Sequence, residues 1–282
     1  MGQMMLGWRN RIVDSASISG GSWLAGLPLT NLLDKERAVV ARSSDALTTS
    51  TKFTVDFGAA RSIRALALLN HNMSLDGSWR VKLGTTSGAG DIYTSDWQAA
   101  WFIPFGVGAE EWESNAWWSP ADDEWTGHPF MAPMLMSGTY TTRYLTIEID
   151  DTTNTDGYVQ IGRVFAGEVF TPAIGAQYGL QHGWKDNSTI QTMDSGAVFA
   201  DEKRRVRTVS IDLPWIDLDE SAIWTEVQRR SGSVGELLYI PNASDWQETQ
   251  RYGFCGRLSD LQPQTYAYYQ HKTIKINLEE WI

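Results

Sequence analysis

Between Val39 and Asn72 the chain alternates in a way that only extended backbone can use. A polar turn, Ser43-Ser44-Asp45, precedes Phe53-Thr54-Val55-Asp56-Phe57-Gly58. There Phe53, Val55 and Phe57 fall on one side, and Thr54 and Asp56 on the other. A second apolar run follows from Ile63 to Leu69. A period of two is the mark of a strand with one buried face, because successive side chains point to opposite faces. The stretch therefore commits this part of the chain to a β-sheet.

The same kind of run recurs along the chain, bounded by Gly, Ser, Asn and Asp. Strands are predicted at Arg11–Val13, Lys52–Phe57, Ala65–Asn70, Ser78–Leu83, Arg143–Ile149, Gln160–Ala166, Arg207–Leu213, Leu237–Ile240, Gly253–Leu258 and Thr273–Leu278. Many short strands separated by turn signals predict an all-β fold of two sandwiches. One segment is predicted to be helical, Asp217 to Arg230. Asp217 and Glu220 form a capping-box pattern, Arg229 and Arg230 suit the negative end of the helix dipole, and Gly232 can end the helix. Its apolar stripe is read as Ala222, Ile223 and Val227, with Trp224 beside it. Pro28 to Leu33 suits a shorter helical turn.

The glycine-rich connector after Thr171-Pro172 sets the expected domain boundary, giving domains 1–171 and 172–282. Within the first, residues 91–137 form an irregular insertion. It holds Trp97, Trp101, Trp112, Trp117, Trp118 and Trp125, several carboxylates, and the breakers Pro104, Pro120, Pro129 and Pro133. It is too aromatic for a disordered linker, and long unpatterned loops in compact domains usually carry function.

The residues offer little catalytic chemistry. Gly84 to Gly90 lacks the Gly-Lys-Ser/Thr of a phosphate loop and reads as a hairpin turn. There is no Gly-x-Ser-x-Gly elbow. His71, His128, His182 and His271 are scattered, with no metal-binding spacing. The acidic pairs Glu110-Glu111 and Asp122-Asp123 are the only carboxylates resembling a glycosidase pair. That chemistry needs two carboxyls about 5 to 9 Å apart across a sugar cleft, and adjacent loop acids are ordinarily solvated. The reading is therefore of a non-enzyme, with a glycan-cleaving enzyme the weakest rival.

Binding is the better prospect. Trp101, Trp112, Trp117, Trp118 and Trp125, flanked by acids, suit either a protein–protein interface or saccharide contact. Aromatics with few lysines mark interfaces, whereas an indole face stacks on sugar C–H groups while acids accept hydroxyl hydrogen bonds. Interface packing is the first expectation and glycan contact the second. A net charge of −11, shared by both halves, disfavours specific nucleic-acid binding. No long apolar segment predicts membrane insertion, and the N-terminus lacks a signal-peptide core. Assembly in a cytoplasm is therefore expected. The single Cys255 allows no intrachain disulfide and is read as a buried strand residue.

The pattern Ala41-Arg42-Ser43-Ser44, then Phe53-x-Val55-Asp56-Phe57-Gly58, then Ile63-x-x-Leu66-x-Leu68, resembles the front half of galactose-binding-like (discoidin-type) jelly rolls. The ending Leu68-Leu69-Asn70-His71-Asn72 looks most like the version in bacteriophage tail proteins. From Ser195 onward, a strand pair, a helix and further strands resemble the tail-tube and distal-tail-protein sandwich. The resemblance implies a virion component of a phage tail tip or baseplate. It would form or decorate a homo-oligomeric ring, hexameric or trimeric, joining the tail tube and baseplate hub proteins to receptor-binding parts. The alternative is a carbohydrate-binding adhesin that contacts host glycans. The family's structural Ca²⁺ would match Asn31, Asp34 and Glu168, although Asn and Asp also cap turns routinely. No other cofactor is implied.

Overall fold

The computed structural model describes residues 3–15, 17–102, 131–175, 179–194, 196, 198–266 and 269–281. The fold is all-β. Its strands are β1 Met5–Trp8, β2 Ser17–Ser19, β3 Ala41–Arg42, β4 Phe53–Leu69, β5 Ser78–Gly84, β6 Tyr93–Thr94, β7 Gln98–Ala99, β8 Met131–Asp150, β9 Gln160–Ile161 and β10 Arg163–Phe170. After these come β11 Gln181–Lys185, β12 Thr189–Thr192, β13 Val198–Asp201, β14 Val206–Ile216, β15 Leu237–Ile240, β16 Phe254–Leu258, β17 Thr265–Tyr266 and β18 Lys272–Glu280. Helical segments are a 3-10 turn, Leu29–Leu33, and α1 Thr48–Thr51, α2 Leu218–Ser231 and α3 Trp246–Tyr252. No helix among the described residues is long and apolar enough to cross a membrane.

Two compact units emerge. The first comprises Asn10–Val169 with Asn242–Arg251, and the second Met1–Arg9, Phe170–Pro241 and Tyr252–Ile282. One change of unit falls between Val169 and Phe170. Two short pieces depart from a single cut: the N-terminal strand belongs to the second unit, and residues 242–251 to the first.

In the first unit the main sheet runs β10-β4-β8-β5-β6, with β2 on β4 and β7 on β5, all antiparallel. The two runs predicted at 52–57 and 65–70 are the ends of one strand, β4. Its first part alternates buried and outward residues, bends at exposed Gly58–Ala60, and continues into the interior. Register shifts against β8 mark the bend between Asp56 and Arg61 and again between Ile63 and Ala65. Gly58 adopts φ +70, a left-handed conformation that glycine enters without a Cβ clash, and its N–H donates to Asp56 Oδ1 at 2.7 Å. Bulges of this kind bend a strand, so one long strand can line more than one side of a core. The core gathers Phe53, Val55, Trp79, Val81, Leu145, Ile147 and Val164, among others. The Gly84–Gly90 segment is a hairpin turn as read: Asp91 accepts from the Thr85 N–H at 3.0 Å and its hydroxyl at 2.6 Å.

In the second unit the sheet runs β11-β14-β18-β16-β15-β1. The strand predicted at Arg11–Val13 is a turn, and the strand is Met5–Trp8 instead, pairing with Leu237–Ile240. Its four residues are all buried, so the run has no polar alternation to reveal it. Helix α2 has the predicted capping box: Asp217 accepts from the Glu220 N–H, and Glu220 accepts from the Asp217 N–H. Its buried face differs from the expectation. Ser221, Trp224 and Val227 face inward, whereas Ala222 is exposed and Ile223 is 46% exposed. The larger indole dominates the choice of face, meeting Phe170 with ring centroids 5.6 Å apart. Arg207 and Glu280 form a buried bidentate pair, Nε–Oε2 at 3.1 Å and Nη2–Oε1 at 2.8 Å. Cys255 is buried in β16.

Candidate functional site

The residues matched to a calcium site are each engaged differently. Asn31 donates its amide to the Val40 carbonyl at 2.8 Å. Asp34 accepts from the Glu36 N–H at 3.1 Å through its own side chain. Glu168 pairs with the Arg11 guanidinium. Among the described residues, no three His, Cys, Asp or Glu side chains are grouped to hold a metal.

Trp101 is also placed differently from the expectation of an interface or glycan contact. It is 8% exposed, belongs to the core of the first unit, and donates its indole N–H to the Met73 carbonyl at 2.9 Å. Its neighbour is His71, edge-on at 5.4 Å. Burial pushes the His71 imidazole down from its ordinary 6.5 to about 3, so it is neutral at ordinary pH. Its Nδ1 accepts from the Met73 N–H at 3.2 Å. An indole and an imidazole thus fix the loop that follows β4, a structural role. Trp112, Trp117, Trp118 and Trp125 lie outside the described residues.

An exposed indole does remain on the first unit. Strand β5 buries Trp79, Val81 and Leu83 and turns Ser78, Arg80 and Lys82 outward. Strand β8 buries Leu145, Ile147 and Ile149, and its register sets Glu148 opposite Arg80 and Thr146 opposite Lys82. On this outward side Glu148 accepts from Arg80 Nε at 2.6 Å and from Lys82 Nζ at 2.8 Å. Burial pushes the Glu148 carboxyl up, but the bonds from Lys82 and Arg80 outweigh it and hold the group below its ordinary 4.5. Trp97, just before β7, is 40% exposed and carries the Arg80 guanidinium over its ring, 4.5 Å from the centroid.

This arrangement has the parts of a small polar binding surface. Arg80 covers one face of the indole, the rest of the 40% exposed ring offers an apolar surface, and the guanidinium offers donors. Among the described residues Glu148 engages only Nε of Arg80, which leaves the terminal amino groups for a ligand oxygen. Glu148 adds an ionised acceptor. Each long side chain is already held by its neighbours, so little rotamer entropy is left to lose on binding. The alternating pattern of β5 was readable in the sequence. The pairing of Arg80 with Glu148 was not, because 68 residues separate them.

No family model matches the chain, and no curated protein matches it. Solved structures do resemble part of it. One is chitosan-binding module 1 of a chitosanase/glucanase from Paenibacillus sp. IK-5, 12% identical, covering 57% of this chain and 99% of that one at a TM-score of 0.35. Another is CBM32-1 of a family 31 glycoside hydrolase from Clostridium perfringens, 11% identical, covering 57% and 99% at 0.34. A third is a mutant of the lectin binding domain of Lectinolysin complexed with Lewis b, 13% identical, covering 57% and 98% at 0.35. At such scores the surface around Trp97 stands on its own residues.

Proposed function

We propose that the first unit is a non-catalytic carbohydrate-binding module whose contact surface is centred on Trp97. The observation that supports this most is the half-exposed indole held beside Arg80, Lys82 and Glu148. A pyranose presents an apolar C–H face and a rim of hydroxyls. An indole accepts the first, and a guanidinium and a carboxylate complete the hydrogen bonds of the second. The test is a glycan array of neutral, amino and uronic-acid oligosaccharides, followed by calorimetry on the best hit. Trp97→Ala is expected to weaken that hit about tenfold or more. Retention of full affinity would refute the site.

A separate observation favours assembly. Strands β12 and β13 form a two-stranded sheet in which every residue is exposed. The register pairs Ile190 with Ala200 and Thr192 with Val198, giving one face an apolar row. Ile190 is 70% exposed and Val198 62%. A lone hairpin is marginal in water, and an exposed apolar row is an invitation to another chain. We infer that a second copy covers it. Lys185, Lys203, Arg204 and Arg205 balance Asp186, Asp194, Asp201 and Glu202, so this stretch is neutral within a chain of net charge −11. Copies therefore meet there without the repulsion carried by the rest of the chain. In this reading the protein is a structural part of a phage tail tip, ring-forming, with tube and hub proteins as neighbours. Sedimentation velocity tests it: Ile190→Lys with Val198→Glu should shift an oligomer to monomer. A wild-type protein that is monomeric at all concentrations, alone and in assembled particles, would refute it.

A further inference from the structure

The 3-10 turn at Leu29–Leu33 and its C-cap Asp34 direct two carbonyls at a cation, and that cation is a side chain. Arg163, fully buried at the start of β10, donates from Nη1 to the Leu32 carbonyl at 2.9 Å and to the Asp34 carbonyl at 2.6 Å. The turn itself is closed by the Asp34 N–H on the Asn31 carbonyl at 3.0 Å. Nearby, Asn31 donates to the Val40 carbonyl and the C-cap Asp34 accepts from the Glu36 N–H.

Neighbouring backbone fixes Arg163 in this position. Residues Arg163 to Gly167 pair with Leu69 to Ala65 of β4. Gly162 lies so close to the loop that a Cβ there would come 2.6 Å from the Arg37 carbonyl. Asn70 donates to that same carbonyl at 3.0 Å. The loop 31–40 is therefore clamped onto the start of β10.

A calcium ion needs six to eight oxygens at about 2.3–2.6 Å, with carboxylates among them. The matched residues do not supply that donor set: Glu168 is engaged by Arg11, Asp34 is exposed, no three acidic or histidine side chains are grouped among the described residues, and the loop carbonyls of Leu32 and Asp34 are already taken by Arg163. We propose that Arg163 is the resident cation of this loop, standing in for the structural calcium that the galactose-binding-like resemblance implies. The planar guanidinium supplies several N–H donors from one fixed group and bridges two carbonyls, as a metal would, without a carboxylate ligand. The fold of the first unit then does not depend on the calcium level around it.

The direct test is thermal unfolding of the wild-type protein in EDTA and in millimolar Ca²⁺. The melting temperature should agree in the two buffers within about 1 °C, whereas an ion held at a hundred times its dissociation constant would raise it by roughly 5 °C or more. A calcium-dependent rise that Glu168→Gln or Asp34→Asn abolishes would overturn the proposal. Arg163→Met gives the converse: a lowered melting temperature that Ca²⁺ does not restore, with Arg163→Lys intermediate. An Arg163→Met protein that melts with wild type would also overturn it. If that variant does not fold, the chelator comparison on the wild type still decides.

Discussion

The guanidinium of Arg80 lies over the indole of Trp97, 4.5 Å from the ring centroid, while its Nε holds the Glu148 carboxylate at 2.6 Å. One arginine thus connects an exposed aromatic to an ion pair on the outward side of the first unit's sheet. Glu148 sits between two cations, so removing its charge should matter more than a surface substitution ordinarily does. Glu148→Gln is expected to cost about 1–2 kcal/mol in urea unfolding at pH 7. The sign of the pH dependence follows from the lowered carboxyl. The contribution is present above pH 4.5 and fades as pH falls through the lower folded value, so wild type and variant should converge in acid. A constant gap down to pH 2 would contradict this.

His71 makes a second pH prediction in a different window. Its folded value is near 3 against 6.5 unfolded, so the unfolded chain takes up a proton that the folded chain refuses. Stability should fall as pH drops below 6.5, by up to about 1.4 kcal/mol per pH unit. Between pH 6.5 and 5 most carboxylates are not yet titrating, and the other three histidines are common to wild type and variant. His71→Asn, which can still accept from the Met73 N–H, should flatten that part of the curve. An unchanged slope would mean that the imidazole is protonated or solvated.

Helix α2 gives a paired test of its buried face. Val227 is fully buried and Ile223 is 46% exposed. Val227→Asp should cost at least about 3 kcal/mol or prevent folding, while Ile223→Asp should stay within roughly 0.5 kcal/mol. Equal effects would mean that the helix packs through the Ala222–Ile223 side.

The sheet-forming runs and the capped helix were legible in the sequence because their signals are local: a period of two, and an Asp three residues before a Glu. What stayed hidden depended on distant partners. Strand Met5–Trp8 is buried at all four positions, so no polar residue marks a face. Trp101 sits in an irregular segment rich in exposed-looking composition, yet a carbonyl 28 residues earlier draws its N–H into the core. On α2 Val227 and the neighbouring Trp224 were read correctly, but Ala222 and Ile223 are exposed, because several hydrophobic positions competed and the packing of Trp224 on Phe170 decides among them. The Trp97 surface required knowing that β5 lies beside β8.

The central claim is that Trp97 and its neighbours bind carbohydrate. The measurement is calorimetric titration of the best array hit into wild type, Trp97→Ala and Trp97→Phe. Binding should be lost or weakened about tenfold in Trp97→Ala and partly kept in Trp97→Phe, with both variants melting near the wild-type temperature because the indole is 40% exposed. Wild-type protein that binds no glycan on the array, or an alanine variant that binds as tightly as wild type, would contradict the account.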